Sequence, residues 1–350
     1  MTGPKRILVV TSGALFVRGG HLTIAEETAA ALRRAGYLSE VLVTPQNRFG
    51  RQLPAYLSNW LTDVGETADG HPVDQVISLR FPSYAVRHRR HVCWLNHQMR
   101  EYYDLWERFT RGLGRRGRLK ESVRRRIFHT LDGWLLRRNV TRLVAQSRTI
   151  QARLQRFGGL ESELLYPPAP LRSYRTDAYG DYVFAVSRLH PLKRLGLLVE
   201  AVARMTDRTL QFKIAGDGEE GPALRERIKD LGLAGRVEML GAISDAELVE
   251  HLARCRAVYF APWNEDYGFV TLEAFSSGKA VVTTTDSGGP AELVEHGGNG
   301  LMAAPTAEAV AEQLDLLARD RGQAERLGQA ALTASRPHTW DRAVEFLTRR

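Results

Sequence analysis

Short apolar runs rich in β-branched residues alternate with helical patterns along most of this 350-residue sequence. Such an alternation is typical of a parallel sheet whose crossover helices cover its faces. The sequence therefore predicts an α/β fold. The predicted strands are 6–11, 39–44, 75–79, 92–96, 142–146 and 163–166 in the first half, and 182–186, 210–215, 236–240, 257–261, 280–284 and 300–303 in the second.

Two helix starts between these strands carry capping signals. Ser147 is expected to cap a helix that runs to Phe157, with Gly158 beyond its end. Ser244 and Glu247 have the spacing of a capping box, in which each side chain accepts from the other residue's backbone N–H.

A proline-rich break divides the pattern into two similar halves. Pro167, Pro168 and Pro170 cannot lie inside a helix or a central strand, so this stretch is predicted to be an extended linker. The length also favours two domains, at roughly 100–200 residues each. We predict domains over 1–168 and 169–336, followed by a closing helix over 337–350.

Cysteine content and the hydropathy pattern exclude several classes. Cys93 and Cys255 are the only cysteines, so the sequence holds no disulfide framework and no zinc-ligand spacing. The first apolar run is too short for a secretory leader, and no stretch approaches the ~18 apolar residues of a membrane span. We expect a cytoplasmic protein without a bound metal.

The net charge of +9 is concentrated in one segment. Residues 87–126 hold 13 Arg or Lys and 4 acidic residues, with aromatic residues interleaved. Concentrated charge favours an anionic partner. A membrane-associated, lipid-linked or polymeric acceptor is the first expectation and a soluble anionic metabolite the second; a solvated face or a mobile loop stays open as the alternative.

Glycine-rich turns follow a strand in each half. Gly19 and Gly20 precede a helix whose N-terminus would bind an anion, although a plain tight turn is the alternative. The stretch Gly216–Gly221 matches the dinucleotide pattern, but its three carboxylates would repel a pyrophosphate. We expect this second turn to line the nucleoside side of a cleft.

Two cations follow the first strand of the second half. Ligands of parallel α/β sheets bind at the carboxyl ends of the strands. Arg188, as a forked donor, and Lys193, as a point charge, would neutralise a leaving diphosphate there. A solvated pair on a surface loop is the alternative.

Two glutamates eight residues apart give the most specific signal. Glu265 precedes a helix predicted to begin near Gly268, and Glu273 lies inside it. At ~1.5 Å per residue this separation spans about 12 Å, comparable to the reach from a sugar past a diphosphate to a ribose. The diphosphate would lie on the N–H groups at the helix start. His97, after strand 92–96, is also placed to point into a cleft, although a single histidine is more often structural.

Together these residues resemble glycosyltransferase family 4, a retaining family with the GT-B fold. The C-terminal half matches almost end to end, whereas the N-terminal half matches mainly at its glycine loop, at 96–98 and at Ser147. Ser187 departs from the pattern, since a glycine is common there. The motifs that follow the family's order are Gly19-Gly20, the R-L-x-x-x-K stretch of Arg188 and Lys193, Gly216–Gly218, the E-x7-E pair Glu265 and Glu273, and G-G-P-x-E over 288–292.

The resemblance implies two Rossmann-like parallel-sheet domains facing a central cleft, with the closing helix crossing back to the N-terminal domain. Glu265 would contact the donor sugar, Glu273 the ribose, and the 241–243 segment the base. The residues implied in catalysis are His97, Arg188, Lys193 and Glu265. The residues implied in donor binding are Gly19, Gly20, Gly216, Asp217, Gly218, Gly241, Ile243, Tyr267, Gly268, Phe269, Val270 and Glu273. Arg100 and Tyr103 are expected to contact the acceptor.

The implied reaction is retaining transfer of a hexose-type sugar from a UDP- or GDP-linked donor to a hydroxyl group, with no cofactor and no metal. The acceptor would be a saccharide, a lipid-linked saccharide or a natural product, and 87–126 would make peripheral membrane contact. Two other classes stay open: an inactive GT-B scaffold, and a nucleic-acid-binding protein that uses 87–126. The second lacks a recognisable binding module, and we expect no nucleic-acid partner.

Overall fold

A computed structural model describes residues 3–16 and 19–349. The chain forms two compact units, the first made of Met1–Pro167 with Trp340–Arg350 and the second of Pro168–Thr339. The predicted boundary lay between residues 168 and 169, beside the proline-rich linker.

The first unit is built on a six-stranded parallel sheet in the order β2-β1-β3-β4-β5-β6. Its strands are β1 (Arg6–Gly13), β2 (Leu38–Pro45), β3 (Gln75–Ser78), β4 (His91–Leu95), β5 (Arg142–Ala145) and β6 (Glu163–Leu164). Its helices before the linker are α1 (Gly20–Arg34), α2 (Gln52–Leu61), α3 (Trp106–Thr110), α4 (Arg115–Arg138) and α5 (Arg148–Gly158).

The second unit repeats the plan with the order β12-β11-β10-β7-β8-β9, again all parallel. Its strands are β7 (Tyr182–Val186), β8 (Gln211–Ala215), β9 (Val237–Gly241), β10 (Ala257–Tyr259), β11 (Val281–Thr284) and β12 (Gly300–Ala303). Its helices are α6 (Leu195–Arg204), α7 (Gly221–Asp230), α8 (Asp245–Arg254), α9 (Phe269–Ser276), α10 (Gly289–Leu293), α11 (Ala307–Arg319) and α12 (Arg321–Ser335).

The last helix, α13 (Trp340–Thr348), packs on the sheet of the first unit. The Trp340 ring lies edge-on to the Trp94 ring, with centroids 6.3 Å apart. Gln75 Nε2 donates to the carbonyl of Leu347 at 2.8 Å. An aromatic ring on β4 and the side-chain amide at the start of β3 thus both hold the helix.

The predicted α/β class and all twelve predicted strands are confirmed, with ends that shift by at most two residues. Every residue of β3, β4 and β11 is buried, which is why their sequences do not alternate between apolar and polar residues. The capping signals also hold. Ser147 Oγ accepts from the Ile150 N–H, and Ser244 forms a full capping box with Glu247. Helix α5 runs one residue further than predicted, because Gly159 rather than Gly158 adopts the left-handed conformation that ends it.

Candidate functional site

The order of the second sheet places its switch point between β7 and β10. The chain leaves β7 toward β8 and β9, and then returns to the other side of β7 at β10. In open α/β sheets the crevice beyond the carboxyl ends of two such strands is where ligands bind. The loops that follow β7, β10 and β11 meet there. Of the predicted site residues they carry Arg188, Lys193, Glu265, Tyr267 and Gly268.

Lys193 and Glu265 come together at this point. Lys193 Nζ lies 2.7 Å from Glu265 Oε1, with both side chains mostly shielded from solvent. Lys193 also lies over the Phe260 ring, 5.5 Å from its centroid. The sequence placed these two groups on separate loops, and the fold joins them into an ion pair with an aromatic floor. Arg188, on the same loop as Lys193, is exposed.

The backbone of Glu265 is fixed by the glycines of the G-G-P-x-E segment. The Glu265 N–H donates to the carbonyl of Ser287 at 2.9 Å, and the Gly289 N–H donates to the carbonyl of Glu265 at 3.0 Å. Gly288 has φ +71°, and a Cβ there would overlap the Glu265 carbonyl. The 288–292 segment, which in sequence looks like an ordinary helix start, therefore supports the backbone of the Glu265 loop.

Arg194 binds three of these loops together and was not singled out from the sequence. Its guanidinium donates to the carbonyls of Ala261 and Pro262 after β10, both at 2.9 Å, and to both carboxylate oxygens of Asp286 after β11, at 2.8 Å. Burial raises the pKa of Asp286, but the hydrogen bonds from Arg194 and Thr284 hold it below its ordinary value. Arg194 has φ +51°, an uncommon conformation for a residue other than glycine. No sequence pattern signals such a clamp, because its partners lie more than 65 residues away.

Helix α9 begins at Phe269, directly after Gly268, as predicted from the sequence. Gly268 has φ +83°, and a Cβ there would lie 2.5 Å from a ring carbon of Phe260. Glycine thus allows the chain to turn tightly between the Glu265 loop and the helix. Tyr267 is buried, whereas Phe269 and Val270 are half-buried at the helix start.

Glu273 lies about one turn into α9. It is 5% exposed and has two polar partners. Arg172 forms an ion pair with it, and the Tyr174 hydroxyl donates to it at 3.3 Å. Burial raises the pKa of Glu273, and the guanidinium of Arg172 opposes that rise. Arg172 also pairs with Asp245 at 2.9 Å. Sequence reasoning missed Arg172 and Tyr174, although their place just after the proline linker could have drawn attention to them.

The Gly216–Gly218 turn packs against the loop that carries Arg188. A Cβ on Gly216 would overlap the carbonyl oxygen of Ser187, and one on Gly218 would overlap that of Leu189. The Leu189 N–H donates to the Asp217 carbonyl at 2.8 Å, and the Gly216 N–H donates to the Gly241 carbonyl at 2.7 Å. These glycines bring the ends of β7, β8 and β9 together. The Asp217 side chain is exposed, and Ile243, two residues after β9, is half-buried.

The first unit has its own group of polar residues at the carboxyl ends of its strands. Gly19 precedes α1 in an extended conformation, and Gly20 is the first helical residue. Burial, then the charges of Arg80 and His97, lower the pKa of His21 to about 3, so His21 is neutral at pH 7. His97 Nδ1 lies 2.7 Å from the carbonyl of Gln98. His21 was not predicted; its position after two glycines was the available signal.

The two predicted acceptor residues are held within the first unit. Tyr103 is 4% exposed, its hydroxyl donates to Asp132 Oδ2 at 2.6 Å, and its ring stacks on His129. This burial favours a structural role for Tyr103, and its contact with the acceptor stays a prediction. Arg100 binds Asp104 through two nitrogens, the closer at 2.6 Å. Arg153 approaches the same carboxylate at 3.3 Å.

Within residues 3–16 and 19–349, no group of three or more His, Cys, Asp or Glu side chains is arranged to hold a metal ion. The predicted independence from metal ions is not tested by this arrangement and stays a prediction.

Two Rossmann-like units, each built on a six-stranded parallel sheet, are the architecture of the GT-B glycosyltransferase fold. The cation–carboxylate pair lies at the switch point of the second unit. Over the whole chain this fold matches two solved structures. One is HepE from Anabaena in complex with UDP and glucose, with a TM-score of 0.72, 20% identity and coverage of 97% of this chain and 98% of that one. The other is sucrose-phosphate synthase from Thermosynechococcus elongatus, with a TM-score of 0.77, 14% identity and coverage of 98% and 97%.

Residues 173–333, which lie in the second unit, match the sequence model of the glycosyl transferases group 1. The D-inositol 3-phosphate glycosyltransferase of Stackebrandtia nassauensis is 30% identical over 206 residues. The aligned part is 54% of this chain and 46% of the relative, so the chain matches less than half of that protein's length. The finer assignment to family 4 stays a prediction.

Proposed function

We propose that the chain is a retaining glycosyltransferase that moves a hexose-type sugar from a UDP- or GDP-linked donor to a hydroxyl of a saccharide, lipid-linked saccharide or natural product. The observation that carries the proposal is the Lys193–Glu265 pair at the switch point, directly before the N-terminus of α9. HepE, with the same fold, was crystallised with UDP and glucose, which supports a nucleotide-sugar as donor.

The charges account for how the donor would be held. An arriving diphosphate competes with Glu265 for the ammonium of Lys193, and exposed Arg188 adds a second cation on the same loop. Glu265, relieved of part of its ion pair, is then available to accept hydrogen bonds from sugar hydroxyls. Glu273, which lies inside α9 and is held by Arg172 and Tyr174, meets the ribose.

In the reaction, the bond between the anomeric carbon and the diphosphate oxygen breaks, and the oxygen of the acceptor hydroxyl bonds to the same face of that carbon while its proton passes to the leaving diphosphate. Negative charge accumulates on the leaving diphosphate. Arg188, Lys193 and the N–H groups at the start of α9 stabilise it, and preorganised donors of this kind supply the largest catalytic effect. His97 would act at the donor sugar. The cytoplasmic location stays an expectation of the same proposal.

The test is a panel of UDP- and GDP-linked sugars, assayed for donor hydrolysis and for transfer to simple saccharides in the presence of EDTA. We expect at least one donor to be consumed, with the rate unchanged by EDTA. The Lys193→Ala variant should lose most of this activity, while Lys229→Ala, an exposed lysine on α7, should keep it. Binding of a nucleotide without consumption of any donor would favour the inactive scaffold, and an absolute need for Mg²⁺ or Mn²⁺ would contradict the electrostatic account.

A further inference from the structure

Two helices of the first unit expose apolar stripes to solvent. On α2, Leu53, Leu57 and Leu61 recur every four residues and are all exposed, Leu57 by 58%. On α4, Leu119, Val123 and Ile127 show the same spacing, and Trp134 continues their line two turns later. Leu119 is 68% exposed and Trp134 45%. We call these seven side chains the docking face. Contiguous exposed apolar surface of this kind marks an interaction site.

The two stripes adjoin each other. The rings of Trp60 on α2 and Trp134 on α4 stack with centroids 5.2 Å apart. Beneath them Tyr56 and Phe128 stack at 5.6 Å, which fixes the spacing of the helices. Arg124 also donates to the carbonyl of Gly50, just before α2, at 2.6 Å. The docking face is therefore one surface held by a packed core.

The charge around the docking face is almost entirely positive. Helix α4 carries nine Arg or Lys and two acidic residues, a net charge of +7. Both acids are turned inward, where Glu121 receives the Tyr102 hydroxyl and Asp132 receives three tyrosine hydroxyls. Arg115, Arg116, Lys120 and Arg126 are exposed, and none of them forms an ion pair with another residue that the structure describes.

An open depression of about 450 Å³ borders Trp134 at the far end of α4. Its wall includes Arg137 and Arg138, and the guanidinium of Arg138 lies 5.6 Å from the Trp134 ring centroid. An aromatic ring beside two guanidinium groups suits a boundary where apolar chains meet anionic headgroups.

We propose that the docking face of α2 and α4 lies on the surface of a membrane that contains anionic lipids. Leucine and isoleucine side chains would enter the boundary of the acyl chains, and the flanking arginines would meet lipid phosphates. A second copy of this chain fits less well, because a self-contact would bring the basic residues beside one docking face against those beside the other. Nucleic acid would leave the leucine stripes without a partner. No helix in the described part of the chain is long and apolar enough to cross a bilayer, so the contact would be peripheral.

The experiment uses the full chain with vesicles of phosphatidylglycerol mixed with phosphatidylcholine, and with pure phosphatidylcholine. We expect co-sedimentation with the mixed vesicles at low salt, weaker binding at high salt, and a blue shift of tryptophan fluorescence. The Leu57→Glu/Ile127→Glu variant should bind at least tenfold more weakly at either salt concentration. The Arg115→Gln/Arg116→Gln/Lys120→Gln variant should lose about fivefold for each charge removed, and only at low salt.

Matched controls lie in the second unit. Leu316→Glu, at an exposed leucine on α11, and Arg225→Gln/Lys229→Gln, at exposed cations on α7, should bind vesicles like the unchanged chain. Binding of UDP or GDP and the melting temperature verify that each variant is folded. The proposal fails if the unchanged chain does not bind anionic vesicles at low salt, or if the docking-face variants bind as tightly as their controls. It also fails if those variants instead dissolve a dimer. Because vesicle binding is measured without a donor, failure of the sugar-transfer proposal would leave this result intact.

Discussion

At the scale of single residues, the account depends on two carboxylates in one segment with different surroundings. Glu265 is an ion-paired, partly accessible group on a loop, and Lys193 is its partner. Glu273 is almost fully buried in a helix, where Arg172 and Tyr174 hold it. The first is placed where charge would develop in the reaction, and the second where a chemically idle ribose would bind.

Replacing each glutamate by alanine should separate these roles. Losing a hydrogen bond to a charged group costs about 1.5–3 kcal/mol, or roughly 10–150-fold. For Glu265→Ala the loss should fall on kcat, because its contact strengthens in the transition state. For Glu273→Ala it should fall on donor KM and on the Kd of free UDP or GDP, since a ribose contact is uniform binding. Steady-state kinetics and calorimetric titration decide between them. If Glu265→Ala weakens free-nucleotide binding as much as Glu273→Ala while kcat is unchanged, the two assignments are wrong.

Arg172 should control the protonation of Glu273. Burial already raises the pKa of this carboxyl, and Arg172 is the main group opposing that rise. In Arg172→Gln the pKa of Glu273 should rise further. As the pH falls through the acidic range, the carboxylate should then be protonated at a higher pH than in the unchanged chain, and nucleotide affinity should be lost with it. The matched control is Arg175→Gln, an exposed arginine three residues away. Calorimetric Kd values for UDP or GDP across this range test the idea, and an identical pH dependence in both variants would argue against it.

At the scale of elements, the candidate donor site is formed by loops whose backbones are in direct contact with one another. The β8–α7 turn reaches the β7 loop only because Gly216 and Gly218 lack side chains, and the β11–α10 turn reaches Glu265 only because of Gly288. Arg194 then ties the β10 and β11 loops to the β7 loop. Close backbone contacts of this kind leave little freedom for the side chains that face the donor.

Two glycines with positive φ, Gly216 at +128° and Gly232 at +67°, differ in what surrounds them. Gly216 and Gly232 both have positive φ, but only Gly216 faces the backbone of another loop, whereas Gly232 faces open space. Gly232→Ala should cost about 1–2 kcal/mol of stability from backbone strain. Gly216→Ala should cost more and should also weaken nucleotide binding, because the loop that carries Arg188 must move. Melting temperatures and nucleotide titrations of the two variants make the comparison. Equal stability losses with unchanged nucleotide affinity would show that the Gly216 turn does not position the donor site.

At the scale of the whole molecule, the sequence predicts the two-sheet fold well because buried parallel strands give short, continuous apolar runs between helical patterns. Motifs confined to one short segment, such as the residues from Glu265 to Glu273, can also be recognised in the sequence. Arg194 and Arg172 escape prediction because their partners are distant in sequence and form a site only after folding. The docking face cannot be predicted from the sequence for another reason. Whether Leu57 or Ile127 points to solvent depends on which side of its helix the rest of the unit covers.

The most direct test of the central claim follows the anomeric configuration of the product. An α-linked nucleotide-sugar that passes the donor panel is incubated with an acceptor and EDTA, and the anomeric proton of the first product is recorded by NMR before any mutarotation. The account predicts an α-linked product at an undiminished rate, since the cations of the second unit, rather than a metal ion, stabilise the leaving diphosphate. A β-linked product, or transfer that stops when EDTA is added, would contradict it.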